Sequence, residues 1–367
     1  MADTGQTWYV QPGGTDCVIE PGGATGSSTA ANYAVPGQPA PANPILAEVE
    51  YTAGTSAGNV IVLVDYNASP ELFSAAQIAP ASTTVYQYTG SFTTSVIPFY
   101  AGSWDSGTHT LGCRRVQNGT TRTATLFIDG NPYNKVSIVN TTLDDAQVGM
   151  NIGTSWTVQE IAAKQTIAPP STGIVCAGDS LTWGYYPGAT DGGQVTGNSY
   201  PAKVQAALGG PTTVEVSNLG IRGYEANNFN AAWAVALLND PAFTTKFGVY
   251  WLGINDCIGL AASTTTVGYI TAAVIDIATA ATACLVCTLC HVGPNATPNY
   301  VTVNALVDQV NLSIRLFSPP TTYPVVDLAA NALLNDYTNT TYRDPDQLHF
   351  TPAGYALIAS LVLDAIP

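Results

Sequence analysis

Gly173-Ile174-Val175-Cys176-Ala177-Gly178-Asp179-Ser180-Leu181 decides how the C-terminal half of the chain is read. Ile174 to Ala177 is a short continuous apolar run, the pattern of a strand buried on both faces. Gly178-Asp179 is a turn signal, and Ser180 stands directly after it. A serine on the turn after such a strand lies at the C-terminal edge of a sheet, where open α/β folds place their sites. Far downstream, Asp346-Gln347-Leu348-His349 sets one of only three histidines three residues after an acid. Ser180, His349 and Asp346 are therefore nominated as nucleophile, base and orienting carboxylate.

Around this stretch strands and helices alternate. Strands are expected near 174–178, 213–218, 247–252, 284–290 and 323–327. Val267, Ile270, Val274, Ile277 and Ala281 recur at spacings of three and four and predict an apolar helix face. Val303, Leu306, Val307, Val310, Ile314 and Phe317 predict a second. Leu357, Ile358, Leu361 and Val362 predict a third, opening at Pro352 behind a Thr351 cap. Five short strands with intervening helices make a doubly wound, five-stranded parallel sheet.

Upstream of about residue 165 no helical periodicity stands out. Alternating or β-rich runs at 47–52, 59–66, 84–88, 96–100, 108–116 and 123–128 are separated by turn-rich pieces, which predicts a β-sandwich. A hairpin centred on Asn118-Gly119 is its clearest part. Pro169-Pro170 and Ser171-Thr172-Gly173 read as a linker. The expected organisation is thus a β-sandwich over 1–164, a linker over 165–173 and a catalytic α/β domain over 174–367.

Composition limits the function classes. The 367 residues are 46% hydrophobic and only 10% charged, with 25 acids against 10 bases and a net charge of −15. Nucleic acid is disfavoured as a partner, because neutralising phosphates needs clustered Lys and Arg. No apolar run of about 18 residues appears, so no membrane span is expected. Met1-Ala2-Asp3-Thr4-Gly5-Gln6 has neither a basic start nor an apolar core, so no secretory signal is read there. An extracellular or virion-associated place is expected, reached after signal removal or by assembly into a particle. The oligomeric state stays open.

Seven cysteines, Cys17, Cys113, Cys176, Cys257, Cys284, Cys287 and Cys290, are odd in number and irregular in spacing, which argues against a disulfide framework. Cys284, Cys287 and Cys290 have metal-like spacing, but on a strand residues three apart point to opposite faces. They are read as buried structural cysteines, and no metal is expected.

The residues from Ser180 onward resemble the GDSL or SGNH hydrolases over about 174–367. Four blocks of that family occur in order: Gly178-Asp179-Ser180-Leu181, Asn218-Leu219-Gly220-Ile221-Arg222-Gly223, Gly253-Ile254-Asn255-Asp256 and Asp346-Gln347-Leu348-His349. The resemblance implies a flavodoxin-like three-layer fold and the catalytic set Ser180, Asp346 and His349. It implies an oxyanion hole from Ser180, Gly223 and Asn255, and no cofactor. Asp344 competes with Asp346 for the acid role. Asp179 and Asp256 read as structural hydrogen-bonders, Gly220 as a turn residue, and His291 and His109 as ordinary loop and sandwich histidines.

Arg222 before Gly223 and Tyr224-Glu225 after it depart from the family's usual smaller or more polar residues. The Gly-rich insert 185–199 directly after the nucleophile reads as a substrate loop. Trp183, Tyr185, Arg222 and Tyr224 are candidate substrate-lining residues. Trp183, Tyr185, Tyr186 and Tyr224 serve equally as a sugar platform or as packing. The hairpin ending Leu126-Phe127-Ile128-Asp129-Gly130, with Gly153 to Ile161 later, resembles laminin-G-like or concanavalin A-like (jelly-roll) domains. The resemblances together imply a serine esterase acting on an acylated carbohydrate or another small ester, acetyl esters first. A lipase or thioesterase for longer chains, and a phage-tail-like structural or adhesion protein with a secondary esterase domain, remain alternatives.

Overall fold

A computed structural model describes residues 170–185, 198–317 and 323–367 in full. Upstream it describes the strands named below by their backbone, with some side chains between Thr110 and Pro132. The chain divides into two compact units, Met1–Ala168 and Pro169–Pro367.

The N-terminal unit carries two seven-stranded sheets of antiparallel pairs. One contains Val60–Ala68, Glu71–Ile78, Thr84–Thr89 and Thr93–Pro98 as successive neighbours. The other is built around Thr108–Asn118, which pairs on one side with Ile45–Thr52 and on the other with Thr121–Ile128. The hairpin Thr108–Asn118/Thr121–Ile128 closes with Asn118 opposite Thr121. Leu111 faces Ile128 and Cys113 faces Leu126 across it, and all four are buried, as the two-residue period of a strand requires. The facing of the two sheets, and with it the sandwich and its laminin-G-like class, lies outside the described residues.

In the C-terminal unit the strands are β1 (Thr172–Gly178), β2 (Val214–Gly220), β3 (Thr245–Trp251), β4 (Ala283–Cys287) and β5 (Val325–Val326). They form one parallel sheet in the order β2-β1-β3-β4-β5, the flavodoxin-like arrangement. β2 and β4 are buried along their whole length; β4 reads accordingly as a continuous apolar run, whereas β2 buries Glu215, Ser217 and Asn218 among its apolar residues.

The helices are α1 (Ser180–Trp183), α2 (Tyr200–Ala207), α3 (Ala231–Leu238), α4 (Ile254–Ile258), α5 (Ser263–Ala278), α6 (Tyr300–Ile314), α7 (Ala332–Asn335) and α8 (Pro352–Ala365). α2 packs on α8, while α3, α5 and α6 pack in series. With right-handed crossovers this puts one helical layer on each face of the sheet. Thr351 caps α8 by accepting the Gly354 amide at 3.2 Å, with Pro352 in the first turn. No helix among the described residues is long and apolar enough to cross a membrane.

Two expectations need correction. The strand expected over 284–290 ends at Cys287. Leu289 and Cys290 are as buried as the strand, but Leu289 exchanges both of its backbone hydrogen bonds with the Asn311 side chain instead of a neighbouring strand (N–H to Oδ1 2.7 Å, C=O from Nδ2 2.8 Å). Ala281 and Phe317 lie beyond the ends of α5 and α6 whose faces they were expected to continue.

Candidate active site

The site lies at the carboxyl end of the sheet, around the point where strand order reverses. Two glycines let the nucleophile turn settle there. Gly178 and Gly220 are paired across β1 and β2. A Cβ on Gly220 would overlap the Trp183 amide nitrogen, and one on Gly178 would overlap the Thr182 side chain. Without side chains at both positions α1 lies directly on the strand ends.

Asp179 is the N-cap of α1, its Oδ1 accepting the Leu181 amide at 2.9 Å, and Ser180 is the first helical residue. Gly184 ends the helix in the left-handed region with φ +89°. Asp179 is fully buried, and its Oδ2 has no hydrogen-bond partner among the described residues. Burial pushes its carboxyl up to about 7; the Leu181 amide works against this, and Asp256 adds to it.

Ser180 Oγ lies 2.9 Å from His349 Nε2, and His349 Nδ1 lies 2.6 Å from Asp346 Oδ2. A carboxylate only accepts, so Nδ1 carries the proton and Nε2 is left to accept from the serine hydroxyl. Ser180 is 7% exposed and His349 8%. Asp346 Oδ1 also accepts the amides of Leu348 and His349, each at 2.9 Å. Burial acts to raise Asp346, but the bond to the His349 ring and these amides outweigh it and hold the carboxyl below its ordinary range. Asp344, the competing acid, instead accepts the Asp346 amide at 3.1 Å and gives its own amide to the His349 carbonyl.

The two remaining blocks are bonded to each other. Ile221 to Tyr224 is a four-residue turn closed by the Tyr224 amide on the Ile221 carbonyl, with Gly223 third at φ +76°. That conformation favours glycine. Asn255 is the second residue of α4, and its Nδ2 donates to the Tyr224 carbonyl at 2.8 Å. The next residue, Asp256, accepts the Ala226 amide at 2.8 Å. Consecutive side chains at the start of α4 thus clamp the loop after β2 at two points. One Asn255 N–H remains, and among the described residues neither the Ser180 nor the Gly223 amide has an acceptor.

Tyr185 stands edge-on to His349, centroids 4.6 Å apart, and its backbone carbonyl accepts from the Tyr355 hydroxyl at 2.6 Å. The Arg222 guanidinium covers the Tyr185 ring at 3.8 Å and lies 5.5 Å from Trp183. Trp183 itself is only 3% exposed, so its ring belongs to the packing beneath Arg222 rather than to an open platform. Tyr224 is half-buried, and Tyr186 lies outside the described residues. His291 pairs with Asp308 at 2.8 Å. The six described cysteines are buried thiols.

Sequence reasoning passed over Arg343 and Gln347. Gln347 takes φ +60°, costly for a residue with a Cβ, and is held there by the Gly293 amide on its carbonyl and the Asn295 amide on its side chain. No sequence signal marks that strain. Arg343 is one of only ten bases and falls beside the acid-rich block, which was a usable hint.

Residues 176–357 match the GDSL-like lipase/acylhydrolase family. No curated protein matches the chain. Among solved structures, a lipolytic G-D-S-L family protein from Veillonella parvula DSM 2008 is similar at 20% identity and TM-score 0.43, covering 53% of this chain and 98% of its own. A lipase/acylhydrolase from Enterococcus faecalis is similar at 20% identity and TM-score 0.41, covering 53% and 94%. An acetylxylan esterase from Geobacillus stearothermophilus is similar at 18% identity and TM-score 0.40, covering 54% and 94%. The C-terminal part of this chain, with its flavodoxin-ordered sheet and the serine of its first block at the sheet edge, is a GDSL-like lipase/acylhydrolase domain.

Proposed function

We propose that this domain is a serine esterase that removes short acyl groups, acetyl above all, from a carbohydrate. The observation that carries the reading is the continuous hydrogen-bond chain Ser180–His349–Asp346. Ser180 Oγ attacks the ester carbonyl as His349 Nε2 takes its proton. Asp346 holds the Nδ1 proton and stabilises the imidazolium. The oxyanion is received by the Ser180 and Gly223 amides and the second Asn255 N–H. His349 returns its proton to the leaving alcohol, leaving an acyl-enzyme. It then takes a proton from water, whose oxygen attacks the acyl carbon, and gives that proton back to Ser180.

The low exposure of Ser180 and His349 favours a small acyl group. Tyr185, beside His349 and with Arg222 over its ring, gives the site an aromatic rim of the kind that contacts sugars. A polysaccharide substrate fits a place outside the cell or on a virus particle.

Hydrolysis of p-nitrophenyl acetate, butyrate and octanoate by wild type and Ser180→Ala tests the reading. Acetate is expected to be preferred, and Ser180→Ala to lose on the order of 10⁴–10⁶ in kcat. Preference for octanoate would replace the acetylesterase reading by a lipase one. Equal rates for the two proteins would remove Ser180 as nucleophile. Acetate release from acetylated polysaccharides, compared with acetylated simple alcohols, tests the carbohydrate assignment.

A further inference from the structure

Arg343 is a cation buried to 1% exposure that forms no ion pair among the described residues. Its guanidinium donates to three main-chain carbonyls. Nε reaches Leu334 at 2.8 Å, one terminal nitrogen reaches Leu348 at 2.8 Å, and the other reaches His291 at 2.6 Å. Its carbon lies 4.1 Å from the Phe350 ring centroid. The three carbonyls come from separate places: α7, the segment before α8, and the chain that follows β4. Leu348 and Phe350, which the fork and its face touch, are the two neighbours of His349.

The backbone reinforces this. Arg343 and Phe350 form an antiparallel bridge, and the Asp344 amide donates to the His349 carbonyl. The stretch from Tyr342 to Thr351 is thus a small hairpin with Asp346 and His349 on it. Its own bonds fix its shape, but not its place on the domain. The bonds from Arg343 to Leu334 and His291 fix that place at the base of the hairpin, while Gly293 and Asn295 hold its tip through Gln347 and the Pro345 carbonyl.

A buried charge is costly unless it is hydrogen-bonded. The rigid guanidinium fork can satisfy several carbonyls in one plane, whereas a lysine ammonium cannot reproduce that geometry. A well-fitted apolar side chain would fill the same volume without desolvating a charge. What it could not do is fix the Leu348 carbonyl relative to Leu334 and His291.

We propose that Arg343 is a positioning residue for His349, holding the imidazole at hydrogen-bond distance from Ser180. The proposal rests on the esterase reading, in which His349 is the base. The physical requirement is tight, since a displacement of about 1 Å in a catalytic group costs roughly 10² in rate.

The test uses the full chain as wild type, Ser180→Ala, Arg343→Met and Arg343→Lys. Four quantities are measured: kcat and KM on p-nitrophenyl acetate, the rate at which a fluorophosphonate labels Ser180, and the thermal unfolding midpoint. Arg343→Met, assayed below its midpoint, is expected to lose roughly 10–100-fold in kcat and in labelling rate per folded molecule. Its KM is expected to stay within about twofold, because the lost contact acts on the transition state rather than on binding. Arg343→Lys, which restores the charge but not the planar fork, is expected to fall between Met and wild type. Wild-type kcat and labelling per folded molecule in Arg343→Met, with only the midpoint lowered, would overturn the proposal in favour of a purely structural role. If Arg343→Met does not fold, wild-type kcat and labelling in Arg343→Lys would overturn it equally. A loss confined to KM would also do so. An inactive, unlabelled wild type would instead remove the esterase reading, and this proposal with it.

Discussion

Asn255 Nδ2 donates to the Tyr224 carbonyl at 2.8 Å, one residue beyond Gly223. The side chain nominated as an oxyanion donor therefore also fixes the loop that presents the second donor. Asn255→Ala is expected to lower kcat by roughly 10²–10³. Asn255→Asp should be at least as damaging, because an ionised carboxylate can only accept and would face both the Tyr224 carbonyl and the oxyanion. Rates of both variants on p-nitrophenyl acetate check this. A loss below about threefold would take Asn255 out of the oxyanion hole, since one such donor is usually worth far more.

The buried carboxyl of Asp179 makes stability depend on pH. Its folded value of about 7 lies above the ordinary 3.8, so the folded state binds the proton more tightly than the unfolded chain. The stabilising difference is complete below about pH 4 and is lost as pH rises through about 7, where the folded state ionises as well. Asp179→Asn keeps an oxygen to cap α1 but removes the titration. Urea midpoints of the two proteins between pH 4 and 8 are expected to diverge, with wild type losing ground across that window and the gap constant above it. Parallel curves would show that Asp179 does not titrate there.

Two glycine substitutions should act in opposite directions. Gly220→Ala drives a methyl into the Trp183 amide, which is backbone and cannot rotate away. A loss of about 1–3 kcal/mol or more is expected, together with lowered activity because α1 carries Ser180. Gly268→Ala, within α5, meets nothing within 4 Å and should stabilise by roughly 0.5–1 kcal/mol. Thermal denaturation of the pair reads both signs.

Asn311→Leu leaves the Leu289 N–H and C=O without partners in a buried setting. Each unpaired group costs about 1–3 kcal/mol, so Asn311→Leu should rank among the more destabilising single changes in α6. Chemical denaturation against wild type measures it, and a loss under about 1 kcal/mol would mean that other partners replace the amide.

The legible parts of this domain are those that local physics writes into neighbouring residues. Ile174 to Ala177 read as a buried strand because apolar runs mark two-sided burial, and Asp346 with His349 could be paired because they lie on one short loop. The end of β4 was not legible for a related reason. Apolarity reports burial, and Leu289 is buried, but whether its backbone pairs with a strand or with a side chain on α6 depends on a residue far along the chain. Gln347 and Arg343 escaped on the same ground. The positive φ of one and the three carbonyl partners of the other come from contacts with Gly293, His291 and Leu334. Trp183 shows the converse: an aromatic beside a nucleophile suggests a substrate surface, while its position on α1 over the Gly220 strand end turns it inward.

The hairpin that holds Asp346 and His349 has one more consequence. Acid and base sit three positions apart and close their contact locally, whereas Ser180 lies 169 positions away from His349 in sequence. Local contacts are cheap to form and distant ones carry the loop-closure cost. Two thirds of the triad is thus a short-range unit, and completing it depends on one distant docking. Turnover consequently reports that docking rather than the formation of the sheet, and during refolding activity should return after helical signal, not with it.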